Sequence, residues 1–121
     1  MSIQVEGISK LYGNKKALNN ISFKVEKPEI VGFLGPNGAG KSTMMKILTT
    51  YINANEGSAK VNGFDVTEEK QQVQQSVGYL PEHNPLYLDM YVKEYLAFNG
   101  SIYKIAKQRI DEVIELTGLT A

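Results

Sequence analysis

Apolar and polar residues alternate along the first segment of the chain in the way that is typical of a strand with one buried face. Within residues 3–11 the apolar positions fall at Ile3, Val5 and Ile8. Gly7 interrupts this alternation, and an interruption of this kind is typical of a β-bulge. The chain is therefore predicted to open with a bulged strand.

Further strands are predicted from the same pattern and from continuous apolar runs. Residues 17–25 and 58–62 each read as a strand, and Asn62-Gly63 is a signal for a tight hairpin turn. Residues 30–34 and 77–80 are apolar without alternation, as expected for strands buried on both faces. The first half of the chain is thus predicted to be dominated by strands.

Helical spacing of apolar residues predicts three helical parts. The first covers residues 41–51, the second begins after a cap at Thr67 and runs to about residue 75, and the third begins at residue 91. The third is predicted to continue to the end of the chain with a break at residues 99–101. Strands followed by helices predict a mixed α/β fold.

Composition narrows the class of protein. The chain has 121 residues, which suits one compact domain, and its 13 basic side chains balance 13 acidic ones. This balance argues against a nucleic-acid partner. The chain has no cysteine and a single histidine, His83, so thiolate and multi-histidine metal sites are excluded. With neither a signal peptide nor an apolar run of roughly 18–20 residues, the chain is expected to be cytoplasmic.

Between the apolar run at residues 30–34 and the first predicted helix lies a glycine-rich loop that matches the P-loop pattern G-x-x-x-x-G-K-[ST]. Glycines let successive backbone N–H groups point at an anion, and the following helix adds its positive N-terminal end. Lys41 is predicted to reach the β- and γ-phosphates, Ser42 to ligate Mg²⁺, and Thr43 to bond another phosphate oxygen. The predicted phosphate-binding residues are Gly35, Pro36, Asn37, Gly38, Ala39, Gly40, Lys41, Ser42 and Thr43.

With its loop spelled GPNGAGKST, the chain resembles the ATP-binding domain of ABC transporters over essentially its whole length, and most of all the multidrug and gliding-motility exporters. The resemblance implies an α/β fold of the P-loop NTPase class, with an antiparallel β-subdomain, part of the nucleotide-binding core and the start of a helical subdomain. It implies a nucleotide-binding core and β-subdomain at residues 1–80. A Q-loop and the start of the helical subdomain would follow at residues 81–121.

The same resemblance implies roles for two residues outside the loop. Tyr12 lies where the family carries an aromatic residue that stacks on adenine, although a tyrosine that only closes a turn is the plainer interpretation. Glu82 lies where the family has the Q-loop glutamine, which contacts Mg²⁺ and the attacking water. Glu82 would keep an oxygen ligand and add negative charge, unless it is only a solvated loop carboxylate. Lys41 and Glu82 are the residues expected to act in catalysis, and Ser42 and Glu82 to bind the metal.

Partners also follow from the resemblance. It implies ATP and Mg²⁺ as cofactors, a second ATP-binding subunit as the dimer partner, and a membrane-spanning subunit that holds the protein at the inner face of the cell membrane. An aromatic-rich region around Tyr87, Tyr91, Tyr95, Phe98 and Tyr103 would face that subunit, unless these side chains are simply core.

Several motifs of the family do not occur in this sequence, namely the L-S-G-G-Q signature, the second acidic motif and the switch histidine. The chain is therefore expected to correspond to the N-terminal half of a longer ATPase. It should bind nucleotide with negligible turnover, since phosphoryl transfer depends on complete positioning. An incomplete sheet would leave an exposed edge that favours self-association.

Three other functions are compatible with a P-loop. One is a soluble ABC ATPase that acts in translation or DNA repair, and another is an interaction module whose loop is vestigial. A GTPase is disfavoured because the only N-K pair, Asn14-Lys15, lacks the following aspartate of the guanine clamp and precedes the loop.

Overall fold

The computed structural model describes residues 2–35, 40–81 and 86–119, which divide into two compact units, Met1–Tyr79 and Leu80–Ala121. The first unit contains strands β1 (Ile3–Tyr12), β2 (Lys15–Val25), β3 (Glu56–Val61) and β4 (Phe64–Asp65), with helices α1 (Lys41–Leu48) and α2 (Lys70–Ser76). The second unit contains helices α3 (Val92–Ile102) and α4 (Lys107–Leu116). In these ranges, no helix has the length and apolar character needed to cross a membrane.

The described strands form one antiparallel sheet in the order β2-β1-β3-β4. β1 lies in the middle, with Val5 opposite Phe23 on one side and Ala59 on the other. The pairing of β1 with β2 shifts register after Val5, where Gly7 has a φ of +62°. The bulge predicted from the interrupted alternation is therefore confirmed.

The turn between β3 and β4 is also the one that the sequence predicts. Val61 pairs with Phe64, so Asn62 and Gly63 form a two-residue hairpin turn. Their φ angles of +54° and +82° are both positive, as a type I′ turn requires.

One face of the sheet and helix α1 form the core of the first unit. Met44, Ile47 and Leu48 of α1 are buried, as their helical spacing predicts. They pack with apolar residues of the sheet and of α2. The other buried members of this core are Val5, Ile8, Leu18, Ala59, Val61, Val66 and Val73. The position of α1, and with it the P-loop lysine, is therefore set by the sheet.

Two of the strand predictions were wrong. The structure shows no strand at residues 30–34 or 77–80, and Ile30, Leu34 and Leu80 are largely exposed. A strand buried on both faces needs parallel neighbours and covering layers. All described strands belong to the antiparallel sheet. Among them, the two apolar runs therefore have no parallel strand to pair with.

Two predictions of helix boundaries were wrong as well. The cap before α2 is not Thr67, because the helix begins at Lys70 after Glu69. In the turn before it, the Asp65 carboxylate accepts the backbone N–H groups of Thr67 and Glu68, at 2.8 and 3.1 Å. The predicted break at residues 99–101 lies inside α3, which continues to Ile102. Gly100 is buried there, and a Cβ at this position would lie 3.5 Å from Ile110 of α4. This glycine marks close packing of two helices instead of a break.

Candidate functional site

The N-terminus of α1 is open to an anion. The helix begins at Lys41 after Gly40, whose φ of +91° is left-handed, and no side chain of the described residues caps it. Its first turn, Lys41, Ser42 and Thr43, carries no acidic residue. The first N–H groups of a helix have no partner within the helix, so this end offers donors and the positive end of the helix dipole.

Lys41 connects the two ends of the glycine loop. Its ammonium group donates a hydrogen bond to the backbone carbonyl oxygen of Gly35. Lys41 and Thr43 are partly buried and Ser42 is exposed. The structure therefore brings Gly35, Gly40 and Lys41 together, whereas the predicted site residues Pro36, Asn37, Gly38 and Ala39 lie outside the described residues.

Gly40 lies directly against β2. A Cβ atom at this position would be 2.5 Å from the carbonyl oxygen of Ala17 and 2.6 Å from Cδ2 of Leu18. Cβ atoms in proteins essentially never come this close to other atoms, and the Ala17 oxygen is backbone, so this position requires glycine. The P-loop pattern requires this glycine, but it gives no sign of the contact with β2.

Leu18 is a residue whose part in the site the sequence leaves open. An apolar wall beside the base and core packing are equally compatible with it. The structure places it in the core, with 4% of its surface exposed. Simple alternation from Ile21 would place Leu18 on the other face of β2. The irregular pairing in between, where two residues of β1 span three of β2, brings it back to the core side.

Tyr12 ends β1 and lies opposite Lys15 of β2. The residue is 48% exposed, which leaves it accessible to a planar group that could stack on its ring. The Nζ atom of Lys10 lies 5.6 Å from the ring centroid, within the range of a cation–π interaction. No sequence motif marks Lys10, although its position two residues before Tyr12 puts both side chains on the same face of the strand.

The described residues offer few protein ligands for a metal ion at this site. Within the described ranges, no three His, Asp or Glu side chains lie close enough together to hold a metal. The Ser42 hydroxyl is exposed at the end of α1 and suits a single oxygen ligand, with phosphate oxygens as the others. Glu82, the other predicted metal ligand, lies outside the described residues, as does His83.

An apolar cavity of about 210 Å³ lies elsewhere in the first unit, between the β1–β2 hairpin and α1. Its walls include Phe23, Val31, Phe33, Met44 and Met45. None of its described lining residues belongs to the predicted nucleotide site. Apolar walls offer little to a triphosphate, so the cavity is not the candidate site.

In the second unit, three aromatic side chains form a cluster. The ring of Tyr87 lies 6.2 Å from that of Tyr95 and 5.9 Å from that of Phe98, the latter edge-on. Tyr91 is largely exposed instead of packing with them. Of these helically spaced residues, Tyr95 and Phe98 therefore pack against Tyr87, whereas Tyr91 lies on the surface.

Comparison with known proteins is consistent across sequence and structure. The family model described as ABC transporter matches residues 18–121. The linearmycin resistance ATP-binding protein LnrL of Bacillus subtilis is 38% identical over 122 residues, covering 98% of this chain and 39% of that protein. The daunorubicin resistance ATP-binding protein DrrA3 of Streptomyces coeruleorubidus is 35% identical, covering 94% of this chain and 37% of that protein.

Solved structures agree in fold. An ABC transporter ATP-binding protein of Pyrococcus furiosus superposes with a TM-score of 0.76 at 29% identity, covering 95% of this chain and 56% of that chain.

An import protein matches in sequence as well. The sulfate/thiosulfate import protein CysA of Bacillus cereus is 38% identical over 115 residues, covering 95% of this chain and 32% of that protein. The chain thus spans about two fifths of the length of LnrL and of DrrA3.

Proposed function

Because the chain belongs to the ABC transporter family, we propose that it binds ATP at the N-terminus of α1, as the nucleotide-binding part of a transporter's ATP-binding subunit. The observation that carries this proposal is the geometry at the start of α1. No described side chain caps the helix end, which follows a left-handed glycine, and the Lys41 ammonium group donates a hydrogen bond to the Gly35 carbonyl oxygen. A site of this kind is complementary to a phosphate chain.

The proposed contacts divide between phosphate, metal and base. Backbone N–H groups of the loop and of the first turn of α1 would hold the phosphates, with Lys41 exchanging the Gly35 carbonyl for phosphate oxygens. Ser42 would ligate Mg²⁺, which supplies positive charge against the β- and γ-phosphates when bound. Tyr12 would stack on the adenine, which needs no base-specific hydrogen bond.

The activity of the whole protein is part of the same proposal. We propose that the longer protein hydrolyses ATP, pairs with a second ATP-binding subunit, and is held at the inner face of the membrane by a membrane-spanning subunit. Glu82 would act at the metal, and the exposed aromatic surface around Tyr91 would face the membrane-spanning subunit. The transported substrate stays open, because both resistance and import proteins match this segment.

The test is calorimetric titration of the chain with Mg-ATP, Mg-ADP and Mg-GTP, together with a phosphate-release assay. Lys41→Ala should weaken ATP binding by roughly 10- to 100-fold, since it removes a charge-assisted hydrogen bond. Lys46→Ala is the matched control, because it removes the same charge from the last turn of the same helix and should leave binding unchanged. Phosphate release should be negligible in all samples.

Three results would each contradict part of the proposal. If the folded chain binds none of the nucleotides, the loop is vestigial and the chain is better described as an interaction module. If Lys41→Ala and Lys46→Ala weaken binding equally, the nucleotide is attracted by general charge and does not occupy the P-loop. Turnover that Lys41→Ala abolishes would show that the chain is a complete catalyst.

A further inference from the structure

Leu18 is a side chain of the β1–β2 hairpin that lies against the start of α1. It is buried, and its Cδ2 atom lies where a Cβ on Gly40 would approach to 2.6 Å. Gly40 immediately precedes Lys41, the first residue of α1. The Leu18 side chain and the carbonyl oxygen of Ala17 together limit how closely the phosphate-binding end of the helix can approach β2.

The same hairpin carries the aromatic ring. Leu18 is paired across the two strands with Lys10, and Tyr12 with Lys15. Lys10 also approaches the ring of Tyr12, at 5.6 Å. The residue that meets the phosphate end is thus only a few residues along the ladder from the ring expected to hold the base.

We infer that Leu18 is a positioning residue for the nucleotide: its side chain sets the separation between the N-terminus of α1 and the ring of Tyr12. This inference rests on the proposed function, and it adds a residue outside the P-loop that determines the preference for a nucleotide over its phosphates alone. Leu18 does not touch the nucleotide in this account, since only 4% of its surface is exposed.

The physical reason is that ATP contacts two sites at once. Two contacts on one ligand reinforce each other only when the spacing of the sites matches the ligand, and the gain falls as that spacing becomes variable. A smaller side chain at position 18 would let the hairpin and α1 shift relative to each other. ATP would then lose affinity, whereas inorganic tripolyphosphate, which uses only the end of α1, would not.

The experiment measures binding of Mg-ATP and of Mg-tripolyphosphate to the same variants by calorimetry. Leu18→Ala should weaken ATP binding by roughly tenfold and change tripolyphosphate binding by less than about twofold. Tyr12→Ala should give the same selective loss, and Leu18→Met, which conserves volume, should keep the preference for ATP. Leu18→Val removes less of the side chain and should therefore weaken ATP binding less. It replaces Leu18→Ala in the experiment if that variant does not fold.

Val61→Ala is the control for a general loss of core packing, because Val61 is equally buried but lies on β3. It should lower stability and leave the ratio of the two affinities unchanged. The inference is overturned if the Leu18 variants lose affinity for ATP and for tripolyphosphate by the same factor, or if neither affinity changes. If the wild-type chain binds neither ligand, the proposed function itself fails.

Discussion

Gly57 lies where the backbone of β3 passes the bulge in β1. A Cβ atom at this position would be 2.3 Å from the carbonyl oxygen of Gly7 and 2.6 Å from that of Glu6. Its φ of +89° is also in the left-handed region. The bulge that the sequence predicts at Gly7 therefore depends on a second glycine in the neighbouring strand.

The expected result of Gly57→Ala is severe destabilisation, by roughly 3–5 kcal/mol, because rigid backbone atoms on β1 would have to move. Gly63→Ala is the matched control, since it has a φ of +82° but nothing within 4 Å of the added Cβ. It should cost only the backbone strain, about 1 kcal/mol. Urea unfolding of both variants measures the difference, and equal losses would show that the close approach to Gly7 is not rigid.

At the scale of elements, helices α1 and α3 end in the same backbone arrangement. After α1 and after α3 the chain turns through a left-handed residue, Thr50 at φ +72° and Lys104 at φ +56°. The next residue bonds back into the helix, at 2.8 Å in each case. This is the Schellman arrangement, in which glycine is the favoured residue.

Lys104→Gly is therefore expected to raise the free energy of unfolding of the second unit, by about 0.5–1 kcal/mol, because it relieves left-handed strain. Lys104→Ala keeps that strain and should give no gain. Thermal unfolding of the two variants provides the measurement, and equal stabilities would contradict this reading of the helix end.

Thr50 should respond differently from Lys104. Its hydroxyl accepts a hydrogen bond from the side-chain amide of Gln74, at 2.7 Å, and the residue is buried. Thr50→Gly would relieve strain but leave this amide without its partner, so the two effects should largely cancel. The free energy of unfolding is expected to change by less than about 0.5 kcal/mol.

These elements also explain what the sequence could predict. The Asn62-Gly63 turn and the position of the bulge at Gly7 were predictable from local pattern, whereas the close approach of Gly57 to the bulge was not. The continuity of α3 through Gly100 was not, because the reason for a glycine there is its distance from Ile110 on another helix. In the candidate site, the loop and Lys41 could be identified from the sequence motif. The close approach of Gly40 to Leu18 could not, because it is a tertiary contact.

At the scale of the whole molecule, the apolar run at residues 30–34 has the largest consequence. Its composition predicts a strand with neighbours on both sides, yet Ile30 is fully exposed and no described strand pairs with the run. An extended apolar segment without a sheet neighbour is an association surface. The net charge of zero provides no repulsion between copies.

The chain is accordingly expected to self-associate as its concentration rises. Ile30→Lys should shift the equilibrium towards monomer, because a charge on such a segment opposes pairing. Leu88→Lys is the control: Leu88 is similarly exposed, at 95% compared with 104% for Ile30, but lies in the second unit. Sedimentation velocity over a concentration series measures the effect, and a wild-type chain that stays monomeric throughout would contradict the expectation.

The most direct test of the central claim is the ¹⁵N–¹H correlation spectrum of the chain during addition of Mg-ATP. If phosphates bind at the end of α1, the amide signals of Gly40, Lys41, Ser42 and Thr43 should shift most, and those of α4 should stay in place. Lys41→Ala should reduce these shifts at the same ATP concentration. A folded chain whose amides at positions 40–43 remain unchanged at saturating Mg-ATP would contradict the claim that this helix end is a nucleotide site.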